Sequence, residues 1–341
     1  MRPMRIFAFA SLFPALLLVL ACVFGGVLPL ASAFSITVLV FILDRITSAE
    51  PSEISNENGH SLSLLIGVAH FVVLATCVWG IAQAGHLSAL DRLLIFIGAG
   101  LWFGQVSNSN AHELIHRSSR GPRRLGVAIY CSLLFGHHAS AHPKVHHVHV
   151  ATDRDPNSAR SGEGFYRFLI RAWLGGFHEG LVAENTARAG AKQVLSRWSH
   201  PYVGYTAGGI LTVSASLVIG GFTGLGALLA IATYAQIQLF LSDYVQHYGL
   251  RCKMLKNGRF EPIGPNHSWN APHWYSSAMM LNAPRHSDHH TRPSRSFPFL
   301  ELDESTMPIL PQPLPVMACL ALVPNIWRRV MDRRVAKWMA L

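Results

Sequence analysis

Long stretches without charge alternate with short charged ones along this chain. Four stretches contain no Asp, Glu, Lys or Arg, and they lie between Arg5 and Asp44, Glu57 and Asp91, Arg92 and Glu113, and Arg197 and Asp243. A helix that crosses the hydrocarbon core of a bilayer needs about 20 apolar residues. The pattern therefore predicts six spans, with two in the first stretch, one in each of the next two, and two in the last.

Turn residues inside these stretches place the helix ends. Gly25-Gly26 and Pro29 divide the first stretch, and Gly220-Gly221 divides the last. The link from Gln83 to Ser88 is short, so the third and fourth spans should form a hairpin. The predicted spans are residues 7–27, 29–43, 62–84, 90–111, 201–220 and 223–241. The apolar segment from Met317 to Val323 is too short to cross a bilayer.

The predicted fold is an all-α integral membrane protein with a single domain, residues 1–341. Six transmembrane helices carry a cytoplasmic cap formed by residues 112–200 and 243–341. The first helix is not expected to be a removable signal peptide, because it lacks a small-residue cleavage site and a second apolar run follows at once.

Composition and charge agree with this prediction. Half of the residues are hydrophobic and 13% are charged, against about 25% in soluble domains. Of 28 Lys and Arg residues, 24 lie after His116, and basic residues mark the cytoplasmic side. Both termini are therefore expected inside. The polar loop from Asp44 to Glu57 would then also lie inside, which the rule does not favour, although acidic residues weigh little in it. Nucleic acid is not an expected partner, because the basic residues flank spans.

Cysteine does not suggest a disulfide framework. The five cysteines are scattered, and no C-x-x-C pair occurs. They are expected to be reduced packing residues rather than metal thiolates.

Histidine is concentrated late in the chain, where 16 of the 19 histidines follow residue 111. Residues four apart share a helix face, and neutral imidazole is the commonest metal ligand in proteins. Three clusters have this spacing, and a ninth candidate follows the last span: His112 and His116; His142, His146 and His147; His286, His289 and His290; and His247. Together they predict a metal site that the spans gather at the inner membrane boundary.

The type of metal is not decided by these ligands. Nine histidines exceed the four that a zinc site uses and suit two metals, while imidazole binds iron, zinc, copper or nickel. Glu113 and Asp288 lie within the clusters. They either orient ligand imidazoles or are ordinary solvated charges.

Several motifs resemble the membrane alkane hydroxylase (alkane 1-monooxygenase) family, the integral-membrane histidine-box di-iron hydroxylases related to fatty acid desaturases and xylene monooxygenase. The similar segments are residues 110–116 (NAHELIH), 146–152 (HHVHVAT) with 155–160, 246–250 (QHYGL), 267–270 (HSWN) and 285–290 (RHSDHH). The chain departs from the usual family pattern at Ala141, His149, Asp243 and Asn266, but it keeps every box histidine.

The resemblance implies an enzyme of the bacterial inner membrane that binds two iron ions through the nine histidines. It would use O2 to hydroxylate the terminal methyl of an apolar substrate taken from membrane lipid. Electrons would come from NADH through rubredoxin reductase and rubredoxin. Four basic residues, expected to be exposed, are candidates for docking this acidic carrier or lipid headgroups: Arg251, Lys253, Lys256 and Arg259.

Other functions remain open at this point. A lipid desaturase, a fatty acid hydroxylase or a xylene-methyl hydroxylase would use the same boxes, although the motif His247-Tyr248-Gly249 disfavours a desaturase. A histidine-rich metal transporter would place its ligands near mid-membrane, whereas these clusters flank the spans. A metal sensor is a further alternative.

Overall fold

The computed structural model describes residues 4–46 and 59–340, and within these ranges the protein is helical without β-strands. The helices are α1 (Met4–Phe24), α2 (Leu28–Ile36), α3 (Val38–Ile46), α4 (His60–Ala82), α5 (Ala89–Leu101), α6 (Asn108–Ile115), α7 (Arg120–Ser132), α8 (His138–Ala141), α9 (His147–His149), α10 (Phe165–Ala189), α11 (Pro201–His247), α12 (Trp274–Met279), α13 (His286–Thr291), α14 (Leu314–Ala321) and α15 (Pro324–Met339).

Four of the described helices are long and apolar enough to cross a membrane: Met4–Phe24, His60–Ala82, Ala89–Ile115 and Pro201–His247. A π-helical turn, Trp102–Ser107, joins α5 to α6 within the third of these. The bent pair α2 and α3 adds a fifth candidate span. The all-α membrane class is thus confirmed, whereas this count does not reach six. Most of the predicted loop from Asp44 to Glu57 lies outside the described residues.

The second predicted span, residues 29–43, is not one straight helix. It consists of α2 and α3, which meet at Thr37 with a bend of 42°. Thr37 Oγ1 donates a hydrogen bond to the Ala33 carbonyl at 2.6 Å, and Ser35 Oγ donates to that of Ser32 at 2.7 Å. Hydroxyl groups that bond back to their own helix favour bending. The hydrophobic pattern does not reveal this bend, because residues 29–43 contain no charged residue on either side of it.

Helix α11 changes direction at Gly220 and Gly221, whose backbone angles are not helical. A Cβ added to Gly224 would lie 2.4 Å from the carbonyl oxygen of Ser216, whereas eight residues of straight helix would separate them by about 12 Å. The chain therefore folds back at the predicted break. Its C-terminal arm extends beyond residue 241 to His247.

Glycine allows α5 and the C-terminal arm of α11 to approach closely. A Cβ on Gly100 would lie 1.9 Å from the ring of Tyr234. Small residues at such positions are the usual basis of close helix packing in membranes.

Gly100→Ala is accordingly expected to destabilise the folded protein by about 1–3 kcal/mol, because the Tyr234 ring must move. The measurement is the thermal unfolding midpoint in detergent. The control, Gly226→Ala, changes an exposed glycine of α11 that has open space around it. Its midpoint should stay the same or rise slightly. Equal midpoints for the two variants would contradict this packing.

Candidate metal centre

All nine predicted histidines are gathered at the cap ends of the spans, in two groups. The first group contains five residues: His112, His116, His142, His147 and His289. The second contains four: His146, His247, His286 and His290. Within each group, one ring nitrogen of every member lies within 4.8 Å of the others. The sequence did not indicate this division.

A π-helical turn explains how the second histidine cluster is divided. The turn His142–His146 lies between α8 and α9, and the His147 N–H bonds the His142 carbonyl, five residues earlier. Pro143 has no N–H for an α-helical bond at this point. In a π turn, residues five apart come together, so His142 and His147 share the first group. His146 is directed to the second.

Two of the His-His dipeptides, His146-His147 and His289-His290, each supply one ligand candidate to each group. Adjacent helical residues point about 100° apart. His146 and His147 therefore belong to different groups, and so do His289 and His290.

His247 enters the second group from the last turn of α11. Gly249 follows at φ +73°, and an added Cβ would lie 2.7 Å from Val335 of α15. Only glycine fits this left-handed, crowded position readily. The conformation lets the chain turn away directly after His247.

The Nε2 atoms converge within both groups. His142 Nε2 lies 2.7 Å from that of His112 and 2.9 Å from that of His147. In the second group, His286 Nε2 lies 2.9 Å from that of His247 and 3.1 Å from that of His290. Two nitrogens bound to one metal at about 2.1 Å and at right angles are about 3.0 Å apart. The spacing therefore suits a shared metal.

Hydrogen bonding does not satisfy all these nitrogens. A ring nitrogen carries either one proton or one lone pair, so His142 Nε2 cannot bond fully with both of its neighbours. In the part of the chain that the structure describes, Nε2 of His116 and of His146 is buried without a hydrogen-bond partner. A cation accepts lone pairs from several rings at once, so a metal in each group fits the donor set.

Burial keeps most of these rings neutral, which is the form that binds metals. It lowers the pKa of His116 to about 4 and that of His286 to about 3. Burial also lowers the pKa of His289 and His290 well below its usual value. His146 differs. Burial opposes its charge, but the carboxylates of Asp155 and Asp243 together raise the pKa of His146.

Asp155 is the carboxylate that orients a ring of the site. His146 Nδ1 donates to Asp155 Oδ2 at 2.9 Å, which leaves Nε2 facing the second group. Ser158 Oγ and the Asn157 N–H donate to the same carboxylate. Such partners fix the tautomer and orientation of a metal-binding histidine. Sequence analysis noted Asp155 only within a motif, because a loop residue nine positions away has no helical spacing to reveal it.

Two adjoining cavities lead to the histidines. The larger, of about 560 Å³, lies between α2, α3, α5, α11 and α14, and most of its wall is apolar. The smaller, of about 50 Å³, is lined by His112 and His142 of the first group and by His286 of the second. Gly104, Ser109 and Ser242 line both cavities. An apolar compartment thus adjoins both metal-binding groups.

Comparison with known proteins agrees with the site. Residues 89–312 match the family model described as fatty acid desaturase. Alkane 1-monooxygenase 1 of Alcanivorax borkumensis is 32% identical over 282 residues, covering 81% of this chain and 68% of the relative. Alkane 1-monooxygenase 1 of Pseudomonas aeruginosa is 30% identical over 331 residues, covering 90% of this chain and 84% of the relative.

The chain belongs to the alkane 1-monooxygenase family. It is therefore an oxidoreductase of the monooxygenase type. A more distant relative, the xylene/toluene monooxygenase hydroxylase component of Pseudomonas putida, is 26% identical over 224 residues, covering 64% of this chain and 57% of the relative.

Glu113 and Asp288, the acidic candidates from the sequence, contact arginines in this alkane 1-monooxygenase family member. Glu113 pairs with Arg117 and accepts a hydrogen bond from the Phe297 N–H. Asp288 accepts from Arg295 at 3.0 Å and from the Glu301 N–H at 3.0 Å. These contacts support a role in anchoring α6 and α13 within the cap. Orientation of a ligand ring by either residue remains a prediction.

Hydrogen bonds from the segment of residues 267–270 connect α13 to the end of α11, a role that the sequence did not explain. The Trp269 N–H donates to the Gln246 carbonyl, and Trp269 Nε1 donates to that of Tyr248. Asn270 Oδ1 accepts the Ser287 N–H at 2.9 Å. The motif at residues 267–270 therefore positions the neighbours of His247 and His286. Its own His267 contacts Glu261 instead and belongs to neither group.

The expectation that Arg251 is exposed is wrong. This side chain is partly buried, and it donates to the carbonyls of Thr152 and Ser158. Its charge fixes the loop that carries Asp155. The other three basic residues of this segment, Lys253, Lys256 and Arg259, are exposed.

Asp155→Asn should weaken metal binding by the second group about 10–100-fold, the usual effect of removing a carboxylate behind a ligand histidine. Metal titration of the purified apoprotein measures this. The control is Asp153→Asn, because the Asp153 side chain is 81% exposed. If Asp155→Asn binds metal as tightly as the control, Asp155 does not act through His146.

Proposed function

We propose that this protein is a di-iron monooxygenase that hydroxylates the terminal methyl of alkanes or similar apolar molecules. Support comes from family membership and from one structural observation. The apolar cavity of about 560 Å³ shares wall residues with the small cavity beside His112, His142 and His286. Its volume lies within the range of small-molecule sites, about 300–1,000 Å³.

The protein supplies position and exclusion of water. The larger cavity has side chains such as Ile97, Leu101 and Leu241 in its wall, and they offer a hydrocarbon only dispersion contacts. The face of α5 and α6 that lines the cavity runs through Leu101 and Ser109 towards His112. A linear hydrocarbon lying along this face has one end near both histidine groups. Its terminal carbon is then the part presented for reaction.

The identity of the metals in this proposal follows from family membership, and the histidines are the groups that would hold them. Two iron ions, held by the five and the four histidines, would supply the activation of O2 that breaks an unactivated C–H bond. Electrons would come from NADH through rubredoxin reductase and rubredoxin. Exposed Lys253, Lys256 and Arg259 offer positive charge to an acidic carrier, whereas Arg251 does not.

Six spans follow if the two arms of α11 each cross the bilayer and α2 with α3 counts as one span. Both termini and the cap would then lie on the cytoplasmic side of a bacterial inner membrane, with residues 1–341 acting as one unit. The excess of basic residues after His116 supports this orientation.

Feeding experiments test the substrate class. Cells that carry the gene with a rubredoxin and its reductase receive octane, hexadecane, xylene or a fatty acid. We expect primary alcohols from the alkanes, and no alcohol when rubredoxin is omitted. Aromatic alcohol from xylene alone would assign the protein to methyl-aromatic substrates. The absence of alcohol from every substrate would contradict the proposal.

A further inference from the structure

The larger cavity contains a buried carboxylate oxygen without a donor. Asp44 is 5% exposed and lines this cavity. Its Oδ1 accepts the backbone N–H groups of Tyr275 and Ser276, both at 3.0 Å, and so caps α12. Its Oδ2 is buried, and no donor within residues 4–46 and 59–340 reaches it.

The wall of the larger cavity contains a second buried oxygen that lacks a hydrogen-bond donor. Gln105 Oε1 is buried and finds no hydrogen-bond donor among the described residues. Gln105 precedes His112 by two helical turns, about 10 Å along the axis. Nearby hydroxyl groups are already engaged, since Ser109 Oγ donates to the Gln105 carbonyl and Ser242 Oγ donates to Gln246 Oε1. The wall thus contains acceptors that lack donors.

Buried acceptors in proteins are nearly always paired, because an unpaired one costs free energy. An alkane offers no donor. A primary alcohol has the same apolar chain and one O–H group. A hydrogen bond from that group to a carboxylate is also stronger than one between neutral groups.

We propose that this cavity binds primary alcohols by their hydroxyl group, which donates its hydrogen bond to Asp44 Oδ2 or to Gln105 Oε1. The inference rests on the proposed function only in that the alcohol is then the product of the reaction. The alcohol chain occupies the volume that the alkane needs. The product therefore competes with the substrate and leaves slowly.

Binding to the resting protein tests this without turnover. Iron-loaded protein in lipid nanodiscs, with no electron donor, binds radiolabelled 1-octanol, and unlabelled 1-octanol or 1-chlorooctane competes. The two competitors are similar in shape, but only the alcohol donates a hydrogen bond. We expect 1-octanol to bind about tenfold more tightly, the difference that one hydrogen bond to a charged group produces.

Two variants assign the preference to the acceptors. Asp44→Asn keeps the oxygen that caps α12 and replaces the free one with a donor, and Gln105→Leu removes the other acceptor. Asp44→Asn should reduce the preference for 1-octanol several-fold, and Gln105→Leu should reduce it less, because the carboxylate is the stronger acceptor. Cys319→Ala, which alters the same wall at α14, should leave the preference unchanged. If Asp44→Asn does not fold, the proposal is still tested by Gln105→Leu and by the affinities of the wild type for 1-octanol and 1-chlorooctane.

Equal affinity of the wild type for both competitors would overturn the proposal, because water and not the alcohol would then donate the hydrogen bonds to these acceptors. A preference that survives both variants would also overturn it. Failure of the proposed function gives a different result, in which no substrate is hydroxylated while the alcohol preference persists.

Discussion

Iron in the His290→Ala variant should fall from about two ions per chain to about one, and hydroxylation should fall at least about 100-fold. His290 is one of four histidines in the second group, so its removal leaves three ring nitrogens there and five in the first. The loss of activity should be nearly complete even though one ion remains, because residues that form one catalytic unit do not contribute additively. Metal analysis of the purified variant measures the iron.

The adjacent variant, His289→Ala, sharpens this comparison. It leaves four histidines in the first group and four in the second, so it should retain more iron than His290→Ala while losing activity to a similar extent. His149→Ala is the matched control, since His149 lies in α9 but belongs to neither group. It should keep its full iron content. Two ions retained in His290→Ala would contradict the division into groups.

Leu101→Trp should reduce the hydroxylation of hexadecane about tenfold or more and that of octane far less. Leu101 lines the larger cavity and precedes His112 by eleven residues, about 16 Å along the helix. An indole at this point fills the part of the cavity that only a long chain reaches. The ratio of rates for the two alkanes, measured with purified protein, reports the change, because mispositioned chains lose contacts worth about 1–3 kcal/mol per methylene.

The control for this variant is Leu93→Trp. Leu93 lies two turns earlier on α5, with 51% of its surface exposed. The same bulk is added to the same helix, so the ratio of rates should stay as in the wild type. If Leu101→Trp also leaves the ratio unchanged, the substrate does not occupy this cavity.

The sequence was sufficient to predict the members of the candidate metal centre and the approximate ends of the long apolar helices. Short spacings selected eight histidines and the position just after the last span selected His247, and the structure places all nine in the two groups. Glycine pairs correctly marked the C-terminal end of α1 and the reversal within α11. These features depend on local chain geometry, which a single sequence records.

The division of the histidines depends on geometry that spacing alone does not reveal. His142 and His146 have the i, i+4 spacing of a shared helix face, yet the π turn directs them to different groups. Pro143 was the available signal for that turn. Asp155 was likewise assigned no role, and Glu113 and Asp288 were the carboxylates considered because they lie beside histidines in sequence. The structure shows that the partner of His146 comes from a loop.

The most direct test of the central claim is the source and position of the oxygen in the product. Purified iron-loaded protein is supplied with octane, ¹⁸O₂ and reduced rubredoxin, and the products are analysed by mass spectrometry. A monooxygenase that acts on the terminal methyl should give 1-octanol that carries one ¹⁸O atom. Unlabelled alcohol, alcohol at internal carbons only, or no alcohol from a protein that holds two irons would contradict the proposed function.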